Sequence, residues 1–246
     1  MVGALFRAII ICGVIATADA SARAQSLLPT QTPKTIERPK ALALPPQSPT
    51  IQRQLTGTGF FVDDNGHVLT ARHVVEGCYR VLVAKEERRV YAKLVTASSR
   101  QDLALLQVSE TMGLAAVFPR TVGAGAPDMV FAGAYDTLAG LQLGGGLIAN
   151  SRVTGHGEGG TLAIDSPVTF GASGAPVLDR FGLVQGVISR RMSADRVLAV
   201  SASQAKTFLI DNGVRISQDD RPQIAGSASR AHRAGSISVR VTCLQN

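Results

Sequence analysis

Tryptophan is absent from these 246 residues, and aromatic residues of all kinds reach only 4%. Hydrophobic residues nevertheless make up 45%, so a core here has to be built mostly from Val, Leu, Ile and Ala. Beyond the first residues, no stretch is long and apolar enough to cross a bilayer as a helix. No run of Lys and Arg resembles a nucleic-acid-binding arm. The 25 basic and 18 acidic residues leave a charge of +7, but the basic ones are scattered, with Arg88-Arg89 and Arg190-Arg191 the densest pairs. The balance reads as a surface and solubility feature, and no nucleic-acid partner is expected. No internal repeat is present, and the length suits one or two compact domains. Cysteine is scarce: Cys12, Cys78 and Cys243 are the three.

What is there begins with an export signal. Arg7 supplies a positive start, Ala8 to Ala16 form a short apolar core, and Ala18-Asp19-Ala20 and Ala22-Arg23-Ala24 offer small-residue cleavage sites. Residues 1–24 are therefore expected to be a signal peptide, and the mature protein to be periplasmic or secreted, without a stable membrane span. Cleavage removes Cys12 and leaves Cys78 and Cys243. An even count in an exported chain points to a disulfide, with two separate buried thiols as the other reading. Residues 25–52 carry Pro29, Pro33, Pro39, Pro45, Pro46 and Pro49 among Gln, Ser and Thr, the composition of an extended linker.

From about residue 53 short strands alternate with turns. Gly57–Val62 and His67–Thr70 flank Asp63-Asp64-Asn65-Gly66, a hairpin signal, since Asn-Gly accepts positive φ. Further strands are expected at 80–84, 90–96, 104–108, 129–132, 146–153, 161–164, 175–178, 184–188 and 197–200. Such spacing argues for an all-β chain of antiparallel barrels or sandwiches. Ser203–Ile210 is the best helix candidate, stopped by Asp211-Asn212-Gly213. Residues 214–246 read as a polar tail, ending in a period-2 stretch (Ile237, Val239, Val241, Cys243) that suggests a last strand with Cys243 on its apolar face.

Three residues carry chemistry. His73 sits in Thr70-Ala71-Arg72-His73-Val74-Val75, Asp102 in Gln101-Asp102-Leu103-Ala104-Leu105-Leu106, and Ser173 in Phe170-Gly171-Ala172-Ser173-Gly174-Ala175-Pro176. A serine hydroxyl is a poor nucleophile until a base removes its proton; a histidine can do so, and a carboxylate can hold the imidazole in the useful tautomer. The trio points to a serine hydrolase. Taken singly each has an ordinary explanation: a turn serine, a strand-start cap, a loop histidine.

Together with Gly57-Thr58-Gly59-Phe60, and with Ala199-Val200-Ser201 before Lys206-Thr207-Phe208-Leu209, these motifs resemble the trypsin-like, chymotrypsin-fold serine peptidases. The bacterial HtrA-type protease domain is the most similar, over roughly residues 53–212. The resemblance implies two antiparallel six-stranded β-barrels with the active site between them and a short C-terminal helix. It places the protease domain at 53–213, with barrels at about 53–125 and 126–213. His73 would be general base and then acid, Asp102 its orienting partner, and Ser173 the nucleophile. The backbone N–H groups of Gly171 and Ser173 would form the oxyanion hole. No cofactor is implied, and the partner is a protein or peptide substrate.

Specificity is expected from the residues before Ser173 and from the strand after it. Pro167, Val168, Thr169 and Phe170 include no acid, so a preference for Lys or Arg lacks its counter-charge; Asp165, further back, reads as structural. Val168 suggests small or medium apolar residues at the cut, and Val187, Ile188 and Ser189 are expected to offer backbone groups to an extended substrate. Two departures stand out: Ala175 replaces a glycine common in the family, and the tail is too short and polar for the PDZ domain that HtrA-type proteins usually carry.

The rivals fit less well. An α/β-hydrolase elbow needs glycine where Ala175 stands and a histidine after the serine, leaving only His232. Gly144-Gly145-Gly146 lacks the Lys-Ser/Thr of a phosphate loop and reads as a flexible connection beside the cleft. His67 reads as a strand surface residue and His156 as a loop residue. No metal is expected, because His67, His73 and Cys78 match no usual zinc spacing. A catalytically silent peptide-binding protein and an esterase with the same triad remain open.

Overall fold

Residues 53–121, 129–143, 150–224 and 229–246 are described by a computed structural model. The expected signal segment 1–24, the Pro-rich stretch 25–52 and the Gly144-Gly145-Gly146 connection lie outside them. In chain order the strands are β1 (Arg53–Phe61), β2 (His67–Thr70), β3 (Arg80–Lys85), β4 (Arg88–Ala97), β5 (Ala104–Gln107), β6 (Val117–Phe118) and β7 (Met129–Val130). They continue with β8 (Ser151–Gly157), β9 (Thr161–Asp165), β10 (Pro176–Leu178), β11 (Val184–Arg191), β12 (Arg196–Ser201), β13 (Ser217–Gln218) and β14 (Ser238–Gln245). The helices are α1 (Arg72–Val75), α2 (Tyr135–Leu143), α3 (Ala202–Asp211) and α4 (Arg230–Ile237).

Twelve of these strands sort into two six-stranded units, and β6 and β13 pair with each other. The first is a closed barrel in the order β1-β14-β3-β4-β5-β2. The second is a sheet in the order β10-β11-β12-β9-β8-β7. Its two edges meet where Phe131 and Leu178 exchange backbone hydrogen bonds of 2.8 Å, so it is a barrel closed by a single bridge. This is the double-barrel, all-β architecture that the motifs implied.

Alternation along the strands explains how one short strand serves two cores. Phe61, Val68 and Leu106 point into the first barrel with Val81, Val83, Val239 and Val241. Their neighbours Phe60, Leu69 and Leu105 face the other way and join Phe131, Leu178, Val184, Val187 and Phe208 in a cluster shared by both barrels. A third cluster, with Val130, Ile164, Val177, Ile188 and Val197, fills the second barrel. These are aliphatic cores with a few phenylalanines, as the composition requires.

The chain beyond Val214 corrects the expected domain limits. It is not a tail appended to a domain ending at 213. Its period-2 stretch is β14, which lies between β1 and β3, pairing Gly57 with Val241 and Val83 with Val241 on its other side. Val239, Val241 and Cys243 are fully buried. Residues 53–125 thus supply five strands of the first barrel, and the sixth comes from the far end of the chain. A disulfide joins Cys243 on β14 to Cys78 just before β3, with the Cα atoms 5.3 Å apart. Besides the single turn α1, two helices were not expected from the sequence, α2 and α4. The polar composition of α4 misled it: Arg230 and Arg233 are buried there, and Arg233 donates to the Ala115 carbonyl at 2.9 Å. The expected helix is α3, capped by the Ser201 hydroxyl and ended by Gly213 at φ +77°.

Candidate active site

His73 lies on α1, a single helical turn that directly follows β2. Asp102 lies in the turn between β4 and β5. Pairing of β2 with β5, Thr70 opposite Ala104, brings the two together. The Asp102 carboxylate accepts from the His73 backbone N–H at 3.0 Å and meets the imidazole Nδ1 at 2.7 Å. A third donor arrives from the second barrel, the Ser189 hydroxyl at 2.7 Å. Burial alone would push the Asp102 carboxyl up; the hydrogen bonds from His73 and Ser189 outweigh it and hold it at about 2. An ionised carboxylate can only accept, so Nδ1 carries the proton and Nε2 is left with its lone pair.

Ser173 sits in the turn between β9 and β10, half-buried. The loop is tied to the first barrel through one residue, Thr58 of β1, which is fully buried. The Thr58 N–H donates to the Ser173 carbonyl at 2.8 Å, and its hydroxyl donates to the Gly171 carbonyl at 2.7 Å. The same hydroxyl accepts from the Tyr135 N–H at 2.9 Å, and the Thr58 carbonyl accepts from the Thr70 hydroxyl at 2.7 Å. Gly174, at φ +85°, lies so close that a side chain there would run into the Thr58 carbonyl, the Thr70 hydroxyl and the Ala71 N–H. The nucleophile loop is therefore packed against the residues that lead into His73. Among the described residues the Ser173 hydroxyl makes no hydrogen bond with the imidazole, and the N–H groups of Gly171 and Ser173 have no acceptor. Gly171, at φ +87°, turns the chain sharply just ahead of the serine.

The structure revises the expected specificity residues. Val187 and Ile188 are buried and already paired: Val187 lies between Pro176 and Val200. The Ile188 N–H donates to Ala175 at 2.9 Å, and its carbonyl accepts from Gly174 at 2.7 Å. Neither offers backbone to a substrate. Ser189 falls where the β11–β12 register shifts, a bulge that re-aims its side chain to Asp102. The unpaired edge of β11 starts only there, because β10 ends opposite Val187. Val168 is buried in the second-barrel cluster with Val197 and Ala199, and the Ala175 methyl is buried in that cluster too. Asp165 pairs with Arg196 at 3.2 Å across β9 and β12.

The other histidines lie apart from this constellation. His67 Nδ1 meets the Asp63 carboxylate at 2.6 Å in the first hairpin, His156 is exposed on β8, and His232 Nδ1 meets Ser229 at 2.8 Å at the start of α4. Thr58 and the true partner of Ser189 are what the sequence reading missed. A polar residue between two glycines in a buried strand was the available signal for Thr58.

Residues 57–187 match the family model of the trypsin-like peptidase domain. The chain belongs to that family. Its trypsin-like peptidase domain is similar to an uncharacterized protein of Sinorhizobium fredii, y4bJ, with 30% identity over 203 residues, covering 76% of this chain and 32% of that protein. A probable periplasmic serine endoprotease, DegP-like, of a Marinomonas species is 29% identical over 205 residues, covering 79% of this chain and 41% of that protein. The chain thus spans less than half the length of these curated relatives. Among solved structures, the serine endoprotease from Yersinia pestis aligns with a TM-score of 0.54 at 21% identity, covering 63% of this chain and 57% of that one; this likeness concerns the fold. The trypsin-like peptidase domain places His73 and Asp102 on its first barrel and Ser173 on its second.

Proposed function

We propose that this chain is an exported serine endopeptidase that cuts peptide bonds through an acyl-enzyme. The observation that carries the reading is the chain of hydrogen bonds from Ser189 through the depressed Asp102 carboxylate to His73 Nδ1, beside a serine loop with two unpartnered N–H groups. In the first step the Ser173 Oγ attacks the carbonyl carbon while His73 Nε2 takes its proton. The carbonyl oxygen gains negative charge as the tetrahedral adduct forms, and the N–H groups of Gly171 and Ser173 are the donors available to it. The C–N bond then breaks as the imidazolium returns its proton to the leaving amine. Water repeats the cycle on the acyl-enzyme, with His73 again base and then acid. Asp102 stays ionised throughout and stabilises the imidazolium.

The substrate strand finds its edge at Ser189–Arg191, the part of β11 beyond β10. A small or medium apolar residue at the cut rests on the lack of an acid among Pro167, Val168, Thr169 and Phe170. The signal-like residues 1–24 and the periplasmic DegP-like relative support export. Fluorophosphonate labelling of the purified protein tests the reading. Labelling that disappears in Ser173→Ala, together with cleavage of an unfolded protein substrate, is the expected result. Folded protein that never labels would leave the second reading, a silent peptide binder, which the missing Ser173–His73 hydrogen bond favours. Turnover of esters alone would mark a dedicated esterase.

A further inference from the structure

Behind His73 and Asp102 lies a cleft of about 530 Å³ that the reaction chemistry does not account for. Its floor is formed by Leu198, Ala199 and Val200 of β12, and Ser189 and Arg190 bring the free edge of β11 into its wall. Three arginines line it: Arg72 from α1, Arg100 from the turn before Asp102, and Arg190 from β11. Among the described residues, Asp102 is the sole carboxylate in the lining, and its oxygens are already taken by His73 and Ser189.

The arginines are available to a ligand. Arg100 and Arg190 are exposed, and among the described residues neither guanidinium has an ion-pair or hydrogen-bond partner. Arg72 gives one N–H to the Ser98 carbonyl at 3.3 Å, while its Nε is buried without a partner. Arg191, the next residue along β11, behaves differently. It donates to the Ser193 and Ala194 carbonyls at 2.8 and 2.6 Å and sits over the Phe170 ring at 5.7 Å. Arg190 points to the opposite side, into the cleft. Three arginines lining one concave wall raise the local potential for anions, and the forked guanidinium matches a carboxylate.

We propose that this cleft binds acidic side chains of a substrate segment laid along the free edge of β11, making the enzyme selective for carboxylates within a few residues of the cut. The inference rests on the peptidase reading for its consequence, but the binding itself does not need turnover. It turns the scattered positive charge of the sequence into a local device, with Arg190 of one of the two densest basic pairs at its centre.

The test uses matched peptides with a central Val and two Glu on one side of it or the other, against versions carrying Gln. Fluorescein-labelled forms are titrated into the full chain carrying Ser173→Ala, and internally quenched forms are offered to the unsubstituted protein. One Glu series should bind about three- to tenfold tighter than its Gln match at low salt, the scale of a few half-screened ion pairs. The advantage should shrink as salt approaches about 0.5 M. It should collapse in the double variant Arg100→Gln, Arg190→Gln, and persist in Arg89→Gln, an exposed arginine on β4. If cleavage occurs, kcat/KM should follow the same order. Equal binding of Glu and Gln peptides at low salt, or an advantage that the double variant keeps, overturns the proposal. Absence of cleavage with a salt-sensitive Glu advantage intact would overturn the peptidase reading and leave the cleft standing.

Discussion

The two barrels are built from similar materials and closed in opposite ways. The second is contiguous in the chain from β7 to β12 and closes on itself through the Phe131–Leu178 bridge. The first borrows β14 from the far end of the chain, and a disulfide with a sequence separation of 165 ties that strand to the residue just before β3. Ser173 thus belongs to the self-sufficient half. His73 and Asp102 belong to the half whose wall depends on the far end of the chain. At the site itself two hydroxyls bond across the boundary, Thr58 to the serine loop and Ser189 to Asp102. The site is therefore assembled around one borrowed strand, two bridging hydroxyls and the close packing of Gly174 against Thr70 and Ala71.

That contrast can be broken in four places. Ser173→Ala should have the largest effect, lowering peptide turnover by about 10⁴-fold or more while leaving the unfolding midpoint nearly unchanged. Cys243→Ser comes next. Opening a closure of 165 residues should cost up to about 5 kcal/mol in the chain-entropy model. Urea unfolding should show the loss, and reductant should reproduce it in the unsubstituted protein. A loss confined to the first barrel, seen as early hydrogen exchange in β1 and β3 with β11 and β12 still protected, would sharpen the comparison. Uniform exchange would break it.

Thr58→Val should follow. It keeps the shape and removes the donor to Gly171 and the acceptor for Tyr135, leaving two backbone groups unsatisfied at about 1–3 kcal/mol each. The expected readout is slower fluorophosphonate labelling of Ser173, although the substitution lies on the other barrel. Ser189→Ala should have the smallest effect, about 1–2 kcal/mol from one charge-assisted hydrogen bond. Its signature is in pH. The Asp102 carboxyl is held at about 2, below its ordinary value of 3.8, so its contribution is complete above pH 4 and lost as the pH falls toward 2. Removing the Ser189 donor raises the folded value, so acid unfolding of the variant should begin at a higher pH. Coincident acid transitions for the two proteins would show that Ser189 does not hold the carboxylate.

Much of this was legible in the sequence because the informative residues sit in local motifs. The Asp63–Gly66 turn, the β2–α1 step into His73 and the Gly-Ala-Ser-Gly turn each follow from neighbours a few positions apart. Strand positions were legible for the same reason, since period and turn residues are local properties. What stayed hidden was pairing. Alternation in Ile237, Val239, Val241 and Cys243 marks a strand and its buried face but says nothing of which strands it joins. The two cysteines were the one long-range hint, and they pointed to β3. Ser189 was misread because a bulge shifts the register by one residue, and nothing in Val187-Ile188-Ser189 announces it. The helix α4 was missed because its inward face uses the stems of Arg230 and Arg233 where an apolar residue would have signalled burial.

The placement of β14 also sets a clock. During synthesis β1 is among the first of the described strands to appear and its neighbour β14 the last, so β1 and β3 wait with open edges until residues 238–245 arrive. Ser173 is already present in the chain by then, but the barrel that holds His73 and Asp102 is incomplete. A nascent or interrupted chain therefore carries His73, Asp102 and Ser173 without the wall that positions the first two. The geometry that joins these residues is complete only once the last strand is in place.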